Sequence, residues 1–382
     1  MLVKRRSAPT GAATIPGTAV APPRPTLDDT IRATARPVPP VPGQQPLVVD
    51  GPRIASFCTG YGGLDMAVQR LLGGSLAWVS DIDPSACKIL AHRFPDVPNI
   101  GDLTVADWLQ LLALYGRPDV VTGGYPCQPF SIGGRQKGTA DDRHIWPDIA
   151  RALRVLRPRI AVFENVRNHL RIGFDTVLAD LAGLGFDAEW IVVRACDVLG
   201  CHIRERLFIL AVAQDADGEP WIEWRQSASR QAESGRARSD AGRRGRVAAA
   251  DADHVAARRR QGSGGLAGAP GTAEREARAG DRYASAVGTG PDTWGKYAPA
   301  VARWAEAFDV EPPRPTDDRG LLNTELEEWM QGLPPGHVTQ VPGLGRQGQL
   351  KALGNGVFPL QAEAALHVLL DRLDQDATRR AA

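Results

Sequence analysis

Two short runs carry the residues best suited to chemistry. In Gly123-Gly124-Tyr125-Pro126-Cys127-Gln128-Pro129-Phe130-Ser131, two prolines hold the backbone around a cysteine in a loop after an apolar run, where its sulfur could meet a ligand. A thiolate there would be a nucleophile, and it would need a base or an electropositive neighbour to form. No histidine follows at thiol-protease spacing. The other run, Arg159-Ile160-Ala161-Val162-Phe163, ends in Glu164-Asn165-Val166. A partly buried Glu164 would have its pKa raised and could give a proton to a substrate. Taken singly, Cys127 reads more often as a small buried apolar residue than as a nucleophile, and Glu164 as a cap or surface ion-pair partner.

A third run has the form of a nucleoside site. Ile54-Ala55-Ser56-Phe57-Cys58 leads into Thr59-Gly60-Tyr61-Gly62-Gly63 and then a helical stretch, Leu64 to Leu72. Glycines at such a turn let backbone amides and a helix N-terminus approach a ligand. An acid at the end of the next strand can accept from ribose hydroxyls, and Asp81 stands there with Asp83 as its rival. Spacing alone does not separate S-adenosylmethionine from a nicotinamide dinucleotide. Gly101-Asp102-Leu103 could reach an adenine amino group or simply start a helix.

Positioning these residues takes a sheet. Strand-length runs fall at Ile54–Cys58, Leu76–Ser80, Asp119–Val121, Arg159–Phe163, Ala188–Arg194 and Arg206–Val212, with helical patterns between several of them, Ser85–Phe94 included. Such alternation predicts an α/β fold with a doubly wound, mostly parallel sheet. Before it, residues 1–50 are crowded with prolines and poor in large apolar side chains, which predicts a disordered arm. Periodicity fails from about Gln214 to Gly290, an Arg-rich, loop-like insertion. Order resumes with Trp294-Gly295-Lys296-Tyr297-Ala298-Pro299, a helix over Ala300–Phe308, another ending near Met330, and a last one over Leu360–Leu373 that should return to the glycine turn. The expected division is 1–50, 51–213, 214–318, 319–375 and a tail, 376–382.

Composition narrows the class. The 382 residues carry a formal charge of +1, so any nucleic-acid affinity must be local. The five cysteines lack C-x-x-C pairing, which favours neither a zinc site nor a disulfide framework and suits a reducing compartment. No apolar run suggests a signal peptide or a membrane span, and no metal site is expected.

Taken together, the Pro-Cys-Gln loop, the Glu-Asn-Val strand end, Arg204-Glu205-Arg206 and Lys351-Ala352-Leu353-Gly354-Asn355-Gly356-Val357 resemble the DNA (cytosine-5)-methyltransferase family in order and spacing. The resemblance runs from about Ile54 to Val212 and from about Leu321 to Leu370. It implies a Rossmann-like fold of the S-adenosylmethionine-dependent methyltransferase type, with a small irregular target-recognition domain within 214–318. Cys127 would be the nucleophile, Glu164 would bind the cytosine N3 and amino edge, Arg206 the base carbonyl oxygen, and Arg204 would lie near the DNA backbone. Around the cofactor would stand Gly60, Gly62, Gly63, Asp81, Ile82, Asp102, Leu103, Pro126, Ile145, Asn355 and Val357. Gln128, Ser131 and the stretch 133–138 would belong to a loop closing over DNA, with Lys296, Tyr297 and Arg303 as further DNA contacts. In chemical terms a thiolate adds to cytosine C6, C5 takes the sulfonium methyl group, and loss of the C5 proton ejects the cysteine. The base must first leave the stack. A monomer acting on double-stranded DNA in the cytoplasm of a prokaryotic or phage-infected cell is implied, with a cognate restriction endonuclease as partner.

Three positions depart from the family. Cys58 stands where Phe is usual, His202 where Gln is usual, and Leu322-Asn323-Thr324-Glu325 loosely follows the motif ahead of Gly332-Leu333-Pro334. A nicotinamide-dependent oxidoreductase, a transfer-RNA cytosine-5 methyltransferase and a non-catalytic DNA-binding relative are the rival readings.

Overall fold

The computed structural model describes residues 51–126, 145–214, 221–230, 232 and 291–381. The arm 1–50, Cys127, Gln128, Ser131, the stretch 133–138 and most of the Arg-rich insertion lie outside the described residues.

Six strands, β1 (Arg53–Phe57), β2 (Ser75–Ser80), β3 (Val120–Gly123), β4 (Ile160–Val166), β5 (Phe186–Arg194) and β6 (Glu205–Ala213), form one sheet in the order β2-β1-β3-β4-β6-β5. The pairs among β1 to β4 are parallel, while β6 runs antiparallel to both β4 and β5. Strand periodicity sends neighbours to opposite faces. Ile54, Val120, Ile160, Val162, Phe208 and Leu210 pack on one side, and Ala55, Val121, Ala161, Phe163, Leu207 and Ile209 on the other. With both faces apolar, helices must cover both.

Helices α3 (Trp108–Tyr115), α4 (Trp146–Leu156) and α5 (Phe174–Gly183) cover the second face. On the first lie α1 (Gly63–Leu72), α6 (221–230), α7 (Ala298–Phe308), α8 (Thr324–Met330) and α10 (Pro359–Ala381), while α2 (Pro84–Arg93) contacts α9 (Arg346–Asn355). The last helix packs along α1, with Arg70 3.7 Å from Glu363, so the chain's end does return to the glycine turn. It runs past the expected end at Leu373 to Ala381.

One sequence expectation is corrected here. Helix α6 lies inside the stretch read as lacking periodicity, and it packs on the hydrophobic core over one face of the sheet. Trp221 is buried and its Nε1 donates to Asp374 Oδ1 at 2.7 Å, while Arg225 reaches Asp371 at 2.7 Å and Asp374 at 3.2 Å. The apolar positions 221, 224 and 228 do have helical spacing. Ten such residues next to a long Ala/Gly/Arg tract vanish in a composition average. Helix α7 is also core: Trp304 is fully buried against Phe308 and Phe358 and donates to the Trp329 carbonyl at 3.0 Å.

Candidate active site

The parallel strands end on one edge, and the loops leaving that edge carry the chemistry-bearing residues. After β1 the backbone turns through Cys58, whose φ of 49° is left-handed for a non-glycine residue, and then through Gly60 (φ 60°) and Gly62 (φ 84°). The Gly60 amide donates to Asp81 Oδ2 at 2.8 Å, and the Asp83 amide to Asp81 Oδ1 at 2.8 Å. Asp81, at the end of β2, is therefore bound to the glycine turn, and burial pushes its carboxyl up against those amides. Asp83 does a different job: it caps α2 by accepting from Ser85 and Ala86 and pairs with Lys351. Of the two acids, it is Asp81 that binds the glycine turn.

A β-carbon at Gly60 would meet no atom within 4 Å, and neither would one at Gly101. Open space thus faces both loops. Ile82 stands beside it, 68% exposed, and Asp102 accepts from Thr104 N and Oγ1 at 2.9 and 2.7 Å with its second oxygen uncommitted in that turn. Leu103 instead turns its side chain into the core with Phe57 and Trp78. Asn99 joins the two loops: its Oδ1 accepts from the Asp81 and Gly101 amides at 3.1 and 3.0 Å, and its Nδ2 donates to the Asp81 carbonyl at 3.0 Å. Sequence reasoning missed Asn99, for a lone Asn after a proline reads only as a turn.

The next two strands deliver the other half. Glu164, six-hundredths exposed at the end of β4, lies 2.8 Å from Arg206 Nε on the antiparallel neighbour β6. Burial raises its pKa, and Arg206 and then Arg204 oppose the rise. The loop toward Cys127 is anchored just before the described residues stop. Tyr125 is buried among Trp146, Phe163 and His169, and its hydroxyl lies 2.7 Å from His169 Nε2. His169 Nδ1 is 2.9 Å from the Ile172 carbonyl, so Nδ1 carries the hydrogen and Nε2 accepts from the tyrosine. Asn165 adds a bond to the Tyr125 carbonyl at 3.4 Å. Pro126 is exposed, and Ile145 resumes the described chain half-buried at the start of α4.

Gly124 is where the two halves meet. A β-carbon there would lie 3.7 Å from the Cys58 carbonyl, 3.7 Å from Val357 Cγ2 and 3.8 Å from Glu164 Oε2. Val357 belongs to the C-terminal turn, which presses on the glycine turn closely enough that a β-carbon at Gly63 would sit 2.1 Å from the Val357 carbonyl. Tyr61 donates to that carbonyl at 2.7 Å, and Asn355 beside it is exposed. Arg204 reaches this turn, donating to the carbonyls of Gly354 at 2.9 Å and Gly356 at 2.6 Å.

Two further buried groups brace the loop after α8. Glu328 accepts from the Gly336 amide at 2.6 Å, the Thr339 amide at 3.0 Å and the Thr339 hydroxyl at 2.8 Å. His337 Nε2 donates to the Tyr61 carbonyl at 2.9 Å. No spacing in the sequence announces either. Of the other cysteines, Cys58 is pushed up to about 12 and Cys201 to about 11, chiefly by burial, which leaves neither as a thiolate near neutral pH. His202, one of the departures, donates from Nε2 to the Met330 carbonyl at 3.2 Å. The surface candidates lie elsewhere: Lys296 and Tyr297 are exposed, with Nζ 5.2 Å from the ring centre, and Arg303 is exposed on α7.

The chain is similar to the type II methyltransferase M.HgiCII of Herpetosiphon aurantiacus, 29% identical over 170 residues that make up 42% of this chain and 37% of that protein. It is also similar to the type II methyltransferase M.NgoMIV of Neisseria gonorrhoeae, 30% identical over 164 residues, 42% of this chain and 51% of that one. It thus matches between 37% and 51% of the length of these curated relatives. In fold it is similar to the Entamoeba histolytica methyltransferase EhMeth, with a TM-score of 0.51 at 16% identity, covering 85% of this chain and 99% of that one. Residues 53–249, more than half of the 382, match the family of C-5 cytosine-specific DNA methylases, and the chain belongs to that family.

Proposed function

We propose that this chain is a DNA cytosine-5 methyltransferase that uses S-adenosylmethionine and takes its target cytosine out of duplex DNA. The observation that carries the reading is the Glu164–Arg206 pair, buried at the sheet edge one glycine away from the turn that faces the open space beside Gly60. A nicotinamide oxidoreductase would give that pair no task, and membership of the methylase family favours methyl transfer over it.

The residues around Gly60 suit the cofactor. Asp81 is held by backbone amides with lone pairs left for ribose hydroxyls, the exposed Ile82 offers an apolar face to a purine, and Asp102 has an oxygen to accept from an exocyclic amine. Asn355 and Val357 would close the site from the C-terminal side, with Gly62, Gly63, Pro126 and Ile145 near it and Leu103 contributing through its backbone. Bound there, S-adenosylmethionine supplies an electrophilic methyl group.

The protein's own residues do the rest. Cys127, outside the described residues, follows the loop that Tyr125 anchors and adds as thiolate to cytosine C6. Glu164, its pKa raised by burial, holds a proton at the base's N3 and so draws the new charge off the ring. Arg206 keeps that carboxyl oriented and faces the carbonyl oxygen. Loss of the C5 proton then lets the thiolate leave. Flipping the base costs on the order of a few kcal/mol, which contacts from the loop containing Gln128 and Ser131 would offset. Lys296, Tyr297 and Arg303 would meet the duplex, with the recognition region reduced by the two core helices α6 and α7.

Bisulfite sequencing of plasmid from cells lacking other cytosine methylation tests the reading. Recurrent protected cytosines in one context are expected with the wild type and none with Cys127→Ser, which should still bind S-adenosylmethionine in solution. Protection that survives in Cys127→Ser would remove the nucleophile from the scheme. Protection absent from DNA but present in transfer RNA would replace the substrate.

A further inference from the structure

Arg204 and Arg206 lie two residues apart, at and just before the start of β6, and strand periodicity puts them on one face. Arg206 serves Glu164. Arg204 spends its fork on protein backbone, Nη1 on the Gly354 carbonyl at 2.9 Å and Nη2 on the Gly356 carbonyl at 2.6 Å. Its own carbonyl is fixed in turn by Gln361 Nε2 at 2.8 Å and the Ala195 amide at 2.9 Å, and the same Gln361 nitrogen bonds the Val193 carbonyl at 2.7 Å.

The turn that Arg204 holds is the C-terminal end of α9, where the Gly356 amide donates to the Ala352 carbonyl at 2.9 Å but the carbonyls beyond it have no helical partner. Two of its residues are glycines, which lose the most backbone freedom on folding. Gly356 admits no side chain, since a β-carbon would lie 1.8 Å from the Tyr61 ring. Tyr61 secures the Val357 carbonyl, so the carbonyls of Gly354, Gly356 and Val357 are each bound by a side-chain donor, leaving the exposed Asn355 presented at a fixed angle. A planar guanidinium can serve two carbonyls at once, whereas an ammonium acts as a point charge.

We propose that Arg204 is a positioning residue for the cofactor half of the site, locking the Gly354–Val357 turn against the glycine turn, and not a DNA phosphate contact. It couples the halves through one strand, because a shift of β6 that moved Arg206 would move the turn as well. This inference rests on the methyltransferase reading for its ligand, yet the order of the turn can be measured without any ligand.

Wild type, Arg204→Gln and Arg204→Lys should be compared in three measurements. Hydrogen exchange of peptides spanning 350–360 in the unliganded protein should speed up in both variants. Calorimetric titration with S-adenosylmethionine alone should show roughly 10-fold or weaker binding in Arg204→Gln, with only partial recovery in Arg204→Lys. The slope of log K against log salt for duplex DNA should stay at the wild-type value. Unchanged exchange and cofactor affinity, with a salt slope shallower by about 0.9, would make Arg204 a phosphate contact and overturn the proposal. If the wild type itself bound no S-adenosylmethionine, the methyltransferase reading would fail, while the exchange rates would still decide whether Arg204 holds the turn. Should Arg204→Gln not fold, the Lys variant reads all three quantities.

Discussion

At the edge of the sheet where the parallel strands end, polar side chains are spent on backbone: Asp81 on two amides, Asn99 on two amides and a carbonyl, Arg204 on two carbonyls, with Glu164 bound to Arg206. The turn Gly295–Tyr297 leading into α7 differs. Lys296 and Tyr297 are exposed there, close only enough to each other for a cation to lie over a ring at 5.2 Å. The contrast follows from what each region would do. A reacting group must be held within fractions of an ångström, so its partners are covalently fixed parts of the fold. A group that meets phosphate needs reach and hydration, and gains from a flexible stem.

The contrast breaks first at Glu164. Glu164→Gln keeps the shape but cannot shuttle the proton, and kcat should fall by about 10²–10⁴ with cofactor affinity held; single-turnover methylation of a short duplex would measure it. A loss smaller than tenfold would mean that the buried carboxyl merely neutralises Arg206. Next comes Trp304 on the inner face of α7. Trp304→Ala should cost about 3–5 kcal/mol, because a fully buried ring is removed and the Trp329 carbonyl loses its donor. Urea unfolding followed by fluorescence would read it, and a cost under 1 kcal/mol would detach α7 from the core.

Acid should separate the regions again, through the buried histidines of the core. His202, His337 and His367 are each held down to about 4, first by burial. Free histidine titrates near 6.5, so the stability they contribute is full above that pH and is lost as pH falls toward about 4. Asp65 runs the other way. Buried and bonded by Ser56 and Thr122, it is pushed up to about 6, so its contribution is full below about 4 and is lost as pH rises through 6. Three protons taken up on unfolding outweigh one released, and Tm should fall from pH 6.5 to 4.5, more steeply in Asp65→Asn. A flat profile would mean that these histidines are not neutral in the fold.

The smallest effect belongs to the exposed turn. Lys296→Ala and Arg303→Ala should each lower the salt slope of duplex binding by about 1 while leaving stability and kcat unchanged. A loss of discrimination between sequences, with the slope intact, would turn these residues from phosphate contacts into base readers.

The reach of sequence reasoning followed the same division. Glycines at a strand end, an acid one strand later and a Pro-Cys-Gln loop are local statements, and their order along a βα chain already commits them to one edge of a parallel sheet. All six strands were visible as apolar runs, the inner ones because they are buried on both faces and the edge strand β5 through the alternation of its half-buried side chains. Helix α6 was not, since ten residues beside a long Arg/Ala/Gly tract carry too few apolar positions to stand out. The sequence put Asp81 at the end of the second strand with Asp83 as its rival, and the hydrogen bonds of the two carboxyls differ: Asp81 accepts from the glycine turn and Asp83 caps α2.

Which residues could do chemistry was therefore a matter of the chain alone; what each of them is bonded to was decided by the fold. Arg204 lies 150 residues from Gly354 and 152 from Gly356, the two carbonyls it binds. Such contacts depend on where β6 and the last helix come to rest. That position is set by the packing of Phe358, Trp304 and the α1 face, a many-body outcome that local periodicity does not encode.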